Sequence, residues 1–219
     1  MVILHPPPPK RAVAPLFLDL PTGARLVRIF DPTRRHATPL TFRANGPRKR
    51  FDHHRGRGPS REPDDDPDRA VYYAAWSPDP AEALSSCLVE VFGDTGIVAF
   101  ADLAIAMPTV VGPLRLLDLR DNGAMCAGTL AAIAKCEHRL SQPWSRFFYE
   151  NEFCYGAIAG LVYRNAHNDE PALVLYERAR PALACPADAV VRLDHPGLRP
   201  LLIDIMRRNN LVFETPGRT

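Results

Sequence analysis

The chain has 219 residues, 46% of them apolar, and a formal net charge of +2. That is enough apolar content for one domain with a sizeable core, and too little net charge to argue for a nucleic-acid partner. No apolar run reaches the ~18 residues that a bilayer-spanning helix needs. The opening Met1-Val2-Ile3-Leu4, followed by His5 and a run of prolines, is too short and too proline-rich for a signal peptide, so the expected compartment is the cytoplasm. The five cysteines, Cys87, Cys126, Cys136, Cys154 and Cys185, form no CxxC pair and read as reduced core residues. Neither a metal site nor a thiol nucleophile is expected from them.

Residues 1 to 15 carry Pro6 to Pro9 and read as a flexible, extended arm before a single domain over 16 to 213, with a short tail from 214. Structure begins near Leu16-Phe17-Leu18 and firms into a strand over Arg25 to Phe30. Arg28 there shares a face with Leu26 and Phe30, a costly position unless something anionic meets it. Turn formers dominate from Asp31 to Arg69. Within that span the basic and acidic stretch 43–69, with Arg43, Arg48, Lys49, Arg50, Arg55, Arg57 and Arg61 ahead of Asp64-Asp65-Asp66, reads mainly as a solvated loop whose charges partly cancel. His53 and His54 receive no role.

Ala70 to Ala75 is a buried strand, and Ser77-Pro78-Asp79-Pro80 starts a helix over Ala81 to Phe92. Ile97 to Ala101 and Leu114 to Leu119 have strand character. Gly123 to Leu140 is alanine-rich and predicts a helix, with a second from Gln142 to Glu150 after Pro143. Trp144 and Arg146 read as packing residues. Ala157 to Tyr163 and Ala172 to Tyr176 are late strands around the polar turn His167 to Glu170, and Leu198 to Asn209 is an amphipathic helix. Strands and helices mix without regular βαβ alternation, which favours an α+β fold. No GxGxxG, P-loop or HExxH motif occurs.

Five segments taken together, Leu26-Val27-Arg28-Ile29, Arg50-Phe51-Asp52, Val71-Tyr72-Tyr73-Ala74-Ala75, Cys87-Leu88-Val89-Glu90-Val91-Phe92 and Gly160-Leu161-Val162-Tyr163-Arg164-Asn165, resemble the RES domain family. The resemblance runs over roughly residues 25 to 180. It implies an ADP-ribosyltransferase-like fold of mixed sheets with flanking helices. It also implies a toxin-like enzyme that consumes NAD as substrate, with no further cofactor, and a cognate antitoxin as partner. No membrane partner is implied.

Cleaving the nicotinamide–ribose bond develops positive charge on the sugar, so the chemistry calls for a carboxylate at the ribose, cations at the diphosphate and an aromatic wall. By the resemblance Glu90 stabilises the ribosyl cation, Arg28 and Arg50 hold the diphosphate and Tyr73 stacks on a ring. Asn165 orients the nicotinamide ribose beside Tyr163. Helical spacing puts Glu90 on one polar stripe with Ser86 and Glu82, so that Ser86 helps hold the sugar. Periodicity alone also fits Glu90 as a solvated helix residue, and a second register leaves Ser86 at the glutamate's place. Either arginine has an alternative as the partner of a core carboxylate such as Asp118. Asn165 stands where the family has its serine, and Ala159-Gly160 where it has aspartate-glycine. These departures motivate a second reading, a weakened domain that binds a nucleotide or partner without turnover; a third is transfer of ADP-ribose to a macromolecular acceptor guided by the basic loop at 43 to 61.

Overall fold

In the computed structural model, which describes residues 3–100 and 102–214, a five-stranded sheet, a three-stranded sheet, three two-stranded pairs and a set of short helices form an α+β fold. In chain order the elements are β1 (Phe17–Leu20), β2 (Arg28–Phe30), β3 (Asn45–Gly46), β4 (Asp64–Asp65), β5 (Val71–Ala74) and α1 (Pro80–Phe92). There follow β6 (Ile97–Val98), β7 (Ala104–Ala106), β8 (Thr109–Val110), β9 (Leu114–Asp118), α2 (Gly123–Cys126), α3 (His138–Glu150) and α4 (Glu152–Tyr155). The chain closes with β10 (Gly160–Arg164), β11 (Pro171–Tyr176), β12 (Leu183–Ala184), β13 (Val190–Arg192), α5 (Arg199–Arg208) and β14 (Val212–Phe213). The tail expected from 214 lies, from residue 215 on, outside the described residues, as does Ala101.

The central sheet has the order β1-β9-β10-β11-β5, with β9 and β10 parallel and the other pairs antiparallel. A three-stranded antiparallel sheet, β13-β7-β2, joins it through a bridge between Val27 and Ala75. Because side chains alternate along a strand, the central sheet divides its residues between two cores. Val71, Leu117, Leu161, Tyr163, Val174 and Tyr176 face α3 and pack with Phe51, Trp144, Phe148 and Tyr155. Tyr72, Leu116, Val162, Leu173 and Leu175 face the other way and pack with Leu26, Phe42 and Val110. A third cluster joins α1 to α5 through Leu84, Leu88, Phe92, Leu202 and Ile205.

Helix α1 starts where the sequence places it, since Asp79 caps it by accepting from the Ala81 amide at 2.9 Å and Pro80 occupies the first turn. The alanine-rich stretch behaves otherwise. The helix expected over 123 to 140 stops at Cys126, because Gly128 takes a positive φ of 88° and Leu130 is extended. Conversely α3 runs through Pro143, whose missing amide leaves only the carbonyl of exposed Arg139 without its helical donor. The late strand begins at Gly160 rather than Ala157. Of the cysteines only Cys87 is buried, and Cys154 is exposed; all five are free.

The described part of the proline-rich arm lies against the body. The indole of Trp144 donates to the His5 carbonyl at 2.8 Å, Arg11 donates to the Met125 and Thr129 carbonyls, and Leu4 and Val13 cover the α3-side core. The loop between β2 and β5 is likewise built into the fold. Phe51, Asp52, His53 and His54 have 0% exposure, a finding that replaces the picture of 43–69 as a solvated connection. Its charges do pair locally, as Arg55 does with Asp66 at 3.3 Å.

Gly160 sets the spacing of the central strands. A methyl group there would sit 2.1 Å from the Val174 carbonyl oxygen on β11, where backbone has no room to yield. Gly160→Ala is therefore expected to lower unfolding free energy by about 1–3 kcal/mol, seen as a lower urea midpoint. An unchanged midpoint would show that β10 and β11 can separate freely.

Candidate active site

Strands β5 and β10 both run antiparallel to β11, so their C-terminal ends emerge on the same edge of the sheet. Tyr73 and Tyr163 lie there on one face. Tyr163 is 3% exposed and packs its ring against Phe51, centroids 4.6 Å apart. The Tyr73 hydroxyl donates to Asp52 Oδ1 at 2.9 Å and accepts from the Phe51 amide at 3.1 Å.

Asp52 is the hub of this edge. Its two carboxylate oxygens share Arg43 Nη2, at 2.7 and 2.8 Å, and also take the Arg48 and Lys49 amides at 2.5 and 2.8 Å and the Tyr73 hydroxyl. Burial opposes its charge, but the Arg43 cation and these donors prevail and hold its carboxyl below the ordinary value of 3.8. Helix α3 secures the same segment from below. Ser141 Oγ donates to the Arg50 carbonyl at 2.6 Å, the Gln142 amide to the Lys49 carbonyl at 3.0 Å and Ser145 Oγ to the Phe51 carbonyl at 2.7 Å. Three donors at 141, 142 and 145 thus clamp three successive carbonyls. Sequence reading saw only packing in this stretch; Trp144 does pack, at 2% exposure.

Arg50 is half-buried, and its guanidinium donates to the Cys136 carbonyl. Its charge reaches both Tyr163 and Glu90, lowering each. Glu90, two residues from the end of α1, is open to solvent, yet surrounding protein raises its carboxyl above the ordinary 4.5 against the pull of His167, Arg50 and Lys49. Burial foremost, and then the Glu90 charge, push the Tyr163 hydroxyl well above 10. The structure thus brings Arg50, Tyr73, Tyr163 and Glu90 to one edge.

The remaining expected residues fall elsewhere. Arg28 lies beyond the opposite face of β5, where it donates to the Thr41 carbonyl at 2.7 Å and stacks on Tyr72 with its guanidinium carbon 4.4 Å from the ring centroid. A carbonyl and a π face take the place of the anion expected to meet it. Asp118 pairs with Arg120 at 2.6 Å and with neither candidate arginine. Asn165 and Ser86 are both at 0% exposure. The Asn165 carbonyl oxygen accepts the His167 and Asn168 amides at 3.0 and 2.9 Å, and its amide nitrogen donates to Ser86 Oγ at 3.2 Å and Asn168 Oδ1 at 2.7 Å. Both side chains therefore pin the turn after β10 onto α1, out of reach of a ligand. Glu82, the third member of the expected stripe, instead accepts from Ser77 Oγ at 2.7 Å near the helix start. The concavities lined by the arm and Trp144, and by Phe100, Leu193 and Phe213, are remote from this edge. Among the described residues no group of three or more His, Cys, Asp or Glu side chains is placed to hold a metal ion.

His53 closes the other end of the loop. Its ring lies between Tyr149 and Tyr176, centroids 4.4 and 4.2 Å away, and its Nε2 meets Glu177 Oε2 at 3.1 Å. Burial lowers its pKa to about 4, more than Glu177 can restore. A histidine with a depressed folded-state pKa favours the folded state above the unfolded value near 6.5, and that advantage fades as pH falls toward 4. It amounts to roughly 3 kcal/mol. Asp52 adds a second contribution to stability, present above pH ~4 and lost as pH drops through its lowered folded value. Stability is expected to fall in two acid steps, with His53→Gln lacking the first and Asp52→Asn lacking the second. Asp52→Asn should also cost about 2 kcal/mol at neutral pH, less than the 3–5 of a fully buried broken pair because Arg43 retains 28% side-chain exposure. Urea unfolding at a series of pH values reads both steps, and a single step unaffected by either substitution contradicts this account.

Comparison with known proteins adds a family to this geometry. The RES domain model matches residues 25–196. Among solved structures, the crystal structure of the M. tuberculosis MbcT-MbcA toxin-antitoxin complex aligns with a TM-score of 0.48 at 17% identity, covering 82% of this chain and 88% of that chain. No curated protein matches. With the family model spanning far more than half of its length, including β5, α1 and β10, the chain belongs to the RES domain family.

Proposed function

We propose that the protein is an NAD-consuming enzyme that cleaves the nicotinamide–ribose bond, as glycohydrolase or phosphorylase, and serves as the toxin of a toxin–antitoxin pair held in check by a cognate antitoxin. The observation that carries this reading is the meeting of Glu90, Arg50, Tyr73 and Tyr163 at the shared edge of β5 and β10, within the RES match. In this chemistry the C1′–N bond breaks heterolytically and its electron pair leaves with neutral nicotinamide. The oxygen of water or phosphate then adds to C1′.

Glu90 is the anion that faces the positive ribose, Arg50 the cation for the diphosphate, and half-buried Tyr73 the wall, backed by Tyr163 buried against Phe51. Arg28, on the far side of β5 and engaged with the Thr41 carbonyl and the Tyr72 ring, takes no part in this arrangement. Asn165 and Ser86 act by fixing the turn and helix that carry the site. Arg43 and Asp52 hold Tyr73 and the 48–51 segment in place. The burial of Asn165 favours one other reading, a domain that binds the nucleotide without turnover, since no amide from that position reaches the ligand.

Incubation of purified protein with NAD decides between them. Release of free nicotinamide without a labelled acceptor is expected, and Glu90→Gln should slow it ~10²-fold. Equal rates remove Glu90 from the mechanism; saturable binding with NAD left intact supports the second reading, and a modified macromolecule in place of free product points to ADP-ribose transfer.

A further inference from the structure

Arg50 is held by two elements, one for its backbone and one for its side chain. Helix α3 fixes the backbone through the Ser141, Gln142 and Ser145 donors to the carbonyls of residues 49 to 51, and the Cys136 carbonyl takes the guanidinium. Cys136 ends a tightly turned stretch that starts at Gly128: the Ile133 amide donates to the Leu130 carbonyl and the Cys136 amide to the Ala132 carbonyl, each at 2.9 Å. The place of Arg50 therefore depends on how α3 and the stretch 128–136 sit against each other.

The proline-rich arm lies across both. On α3 the Trp144 indole, set between Ser141 and Ser145, donates to the His5 carbonyl at 2.8 Å. On the other side Arg11 donates to the Met125 and Thr129 carbonyls at 3.0 and 3.2 Å, and the Ala14 amide to the Cys126 carbonyl at 2.9 Å. Gly128, with a φ of 88°, is the seat between these bonds, since a methyl group there would lie 2.6 Å from Pro9 Cβ and 2.8 Å from Val13 Cγ1. Leu4 and Val13 close over the core cluster that includes Trp144, Ile133, Ala134 and Phe51. The attachment is sparse all the same. Pro6 to Pro9 have no amide hydrogen, and among the described residues no backbone amide of 3–13 donates to a carbonyl of the body. A segment held by so few bonds opens at a lower free energy than the core it covers.

Resting on the assignment of Arg50 to the diphosphate, we propose that the arm is a positioning element of this site, an intramolecular strap that ties α3 to the stretch 128–136 and so keeps both supports of Arg50 in register. Docked, it presents the guanidinium at a fixed place. Released, it leaves the fold standing and the 48–51 segment loose, which weakens capture of the dinucleotide and spares the step at the ribose.

The test uses the full 219-residue chain, ¹⁵N-labelled, with Leu4→Ser and Arg11→Ala combined. The Trp144 indole N–H resonance reads docking, and amide exchange at Arg48, Lys49 and Phe51 reads the loop. The indole resonance is expected to shift and those three amides to exchange ~10-fold faster, with Leu161 on β10 and Val174 on β11 unchanged. In nicotinamide release KM for NAD should rise roughly 5-fold with kcat within about twofold of wild type. Arg11→Lys, which keeps a cationic donor, stays near wild type. Should the double variant fail to fold, Arg11→Ala alone, which trims one exposed side chain, is expected to act in the same direction to a smaller extent. A shifted indole with unaltered exchange at 48–51 overturns the proposal. So does an indole that does not move, and so does acceleration that extends equally to β10 and β11, the mark of a general loss of stability. Absence of nicotinamide release by wild type would defeat the proposed activity alone, because the exchange pattern reads the strap without turnover.

Discussion

A single buried carboxylate organises the edge of the sheet where the candidate site lies. Asp52, with 0% exposure, joins one guanidinium, two backbone amides and a tyrosine hydroxyl. A buried anion is tolerated only when its lone pairs are fully engaged, and satisfying them draws three distant pieces of chain to one point: Arg43, the 48–49 turn and Tyr73 on β5. Arg50 is consequently delivered to the site by a loop whose path is set at Asp52, while α3 takes up the carbonyls of the same segment. A long loop with few regular elements thereby acquires the definition of a core element.

The pleat of β5 explains why the two arginines of the family resemblance separate. Tyr73 faces the α3 side with Tyr163, and Tyr72 faces the other core, where Arg28 covers it. Adjacent residues on a strand point in opposite directions, so Tyr72 and Tyr73 mark two environments. One holds Arg50, bonded to the Cys136 carbonyl, on the side from which its charge reaches Glu90. The other holds a guanidinium stacked on a ring, with one carbonyl as partner.

Local pattern was legible where local pattern decides. The apolar run at β5, the Asp79-Pro80 start of α1 and the alternating β10 and β11 all appear near their expected places, because a cap, a period or a β-branched run settles each one. The region 123 to 140 misled because alanine content speaks for a helix, whereas the positive φ at Gly128 and the seat that this glycine gives to Pro9 and Val13 are tertiary facts. Arg50, Tyr73 and Glu90 could be named from motifs, but Asp52, Arg43 and His53 could not. Their signal is burial, and polar residues within a charged, glycine-bearing loop give no period from which burial can be read. Asn165 was placed in the right turn and given the wrong direction, since a side-chain amide that closes its own turn resembles in sequence one that faces a ligand.

The electrostatics of the edge follow from this arrangement. Burial disfavours the charge on Glu90, and groups of two separate elements oppose that shift, Arg50 and Lys49 of the loop and His167 of the β10–β11 turn. Neither element touches the other in the chain, and each is secured by its own buried polar residue, Asp52 for the loop and Asn165 for the turn. The charge on Glu90 therefore depends on two independently anchored supports. Loss of either anchor acts on the carboxylate without removing any atom that would contact a ligand, so the buried residues of this site are as consequential for its chemistry as the exposed ones.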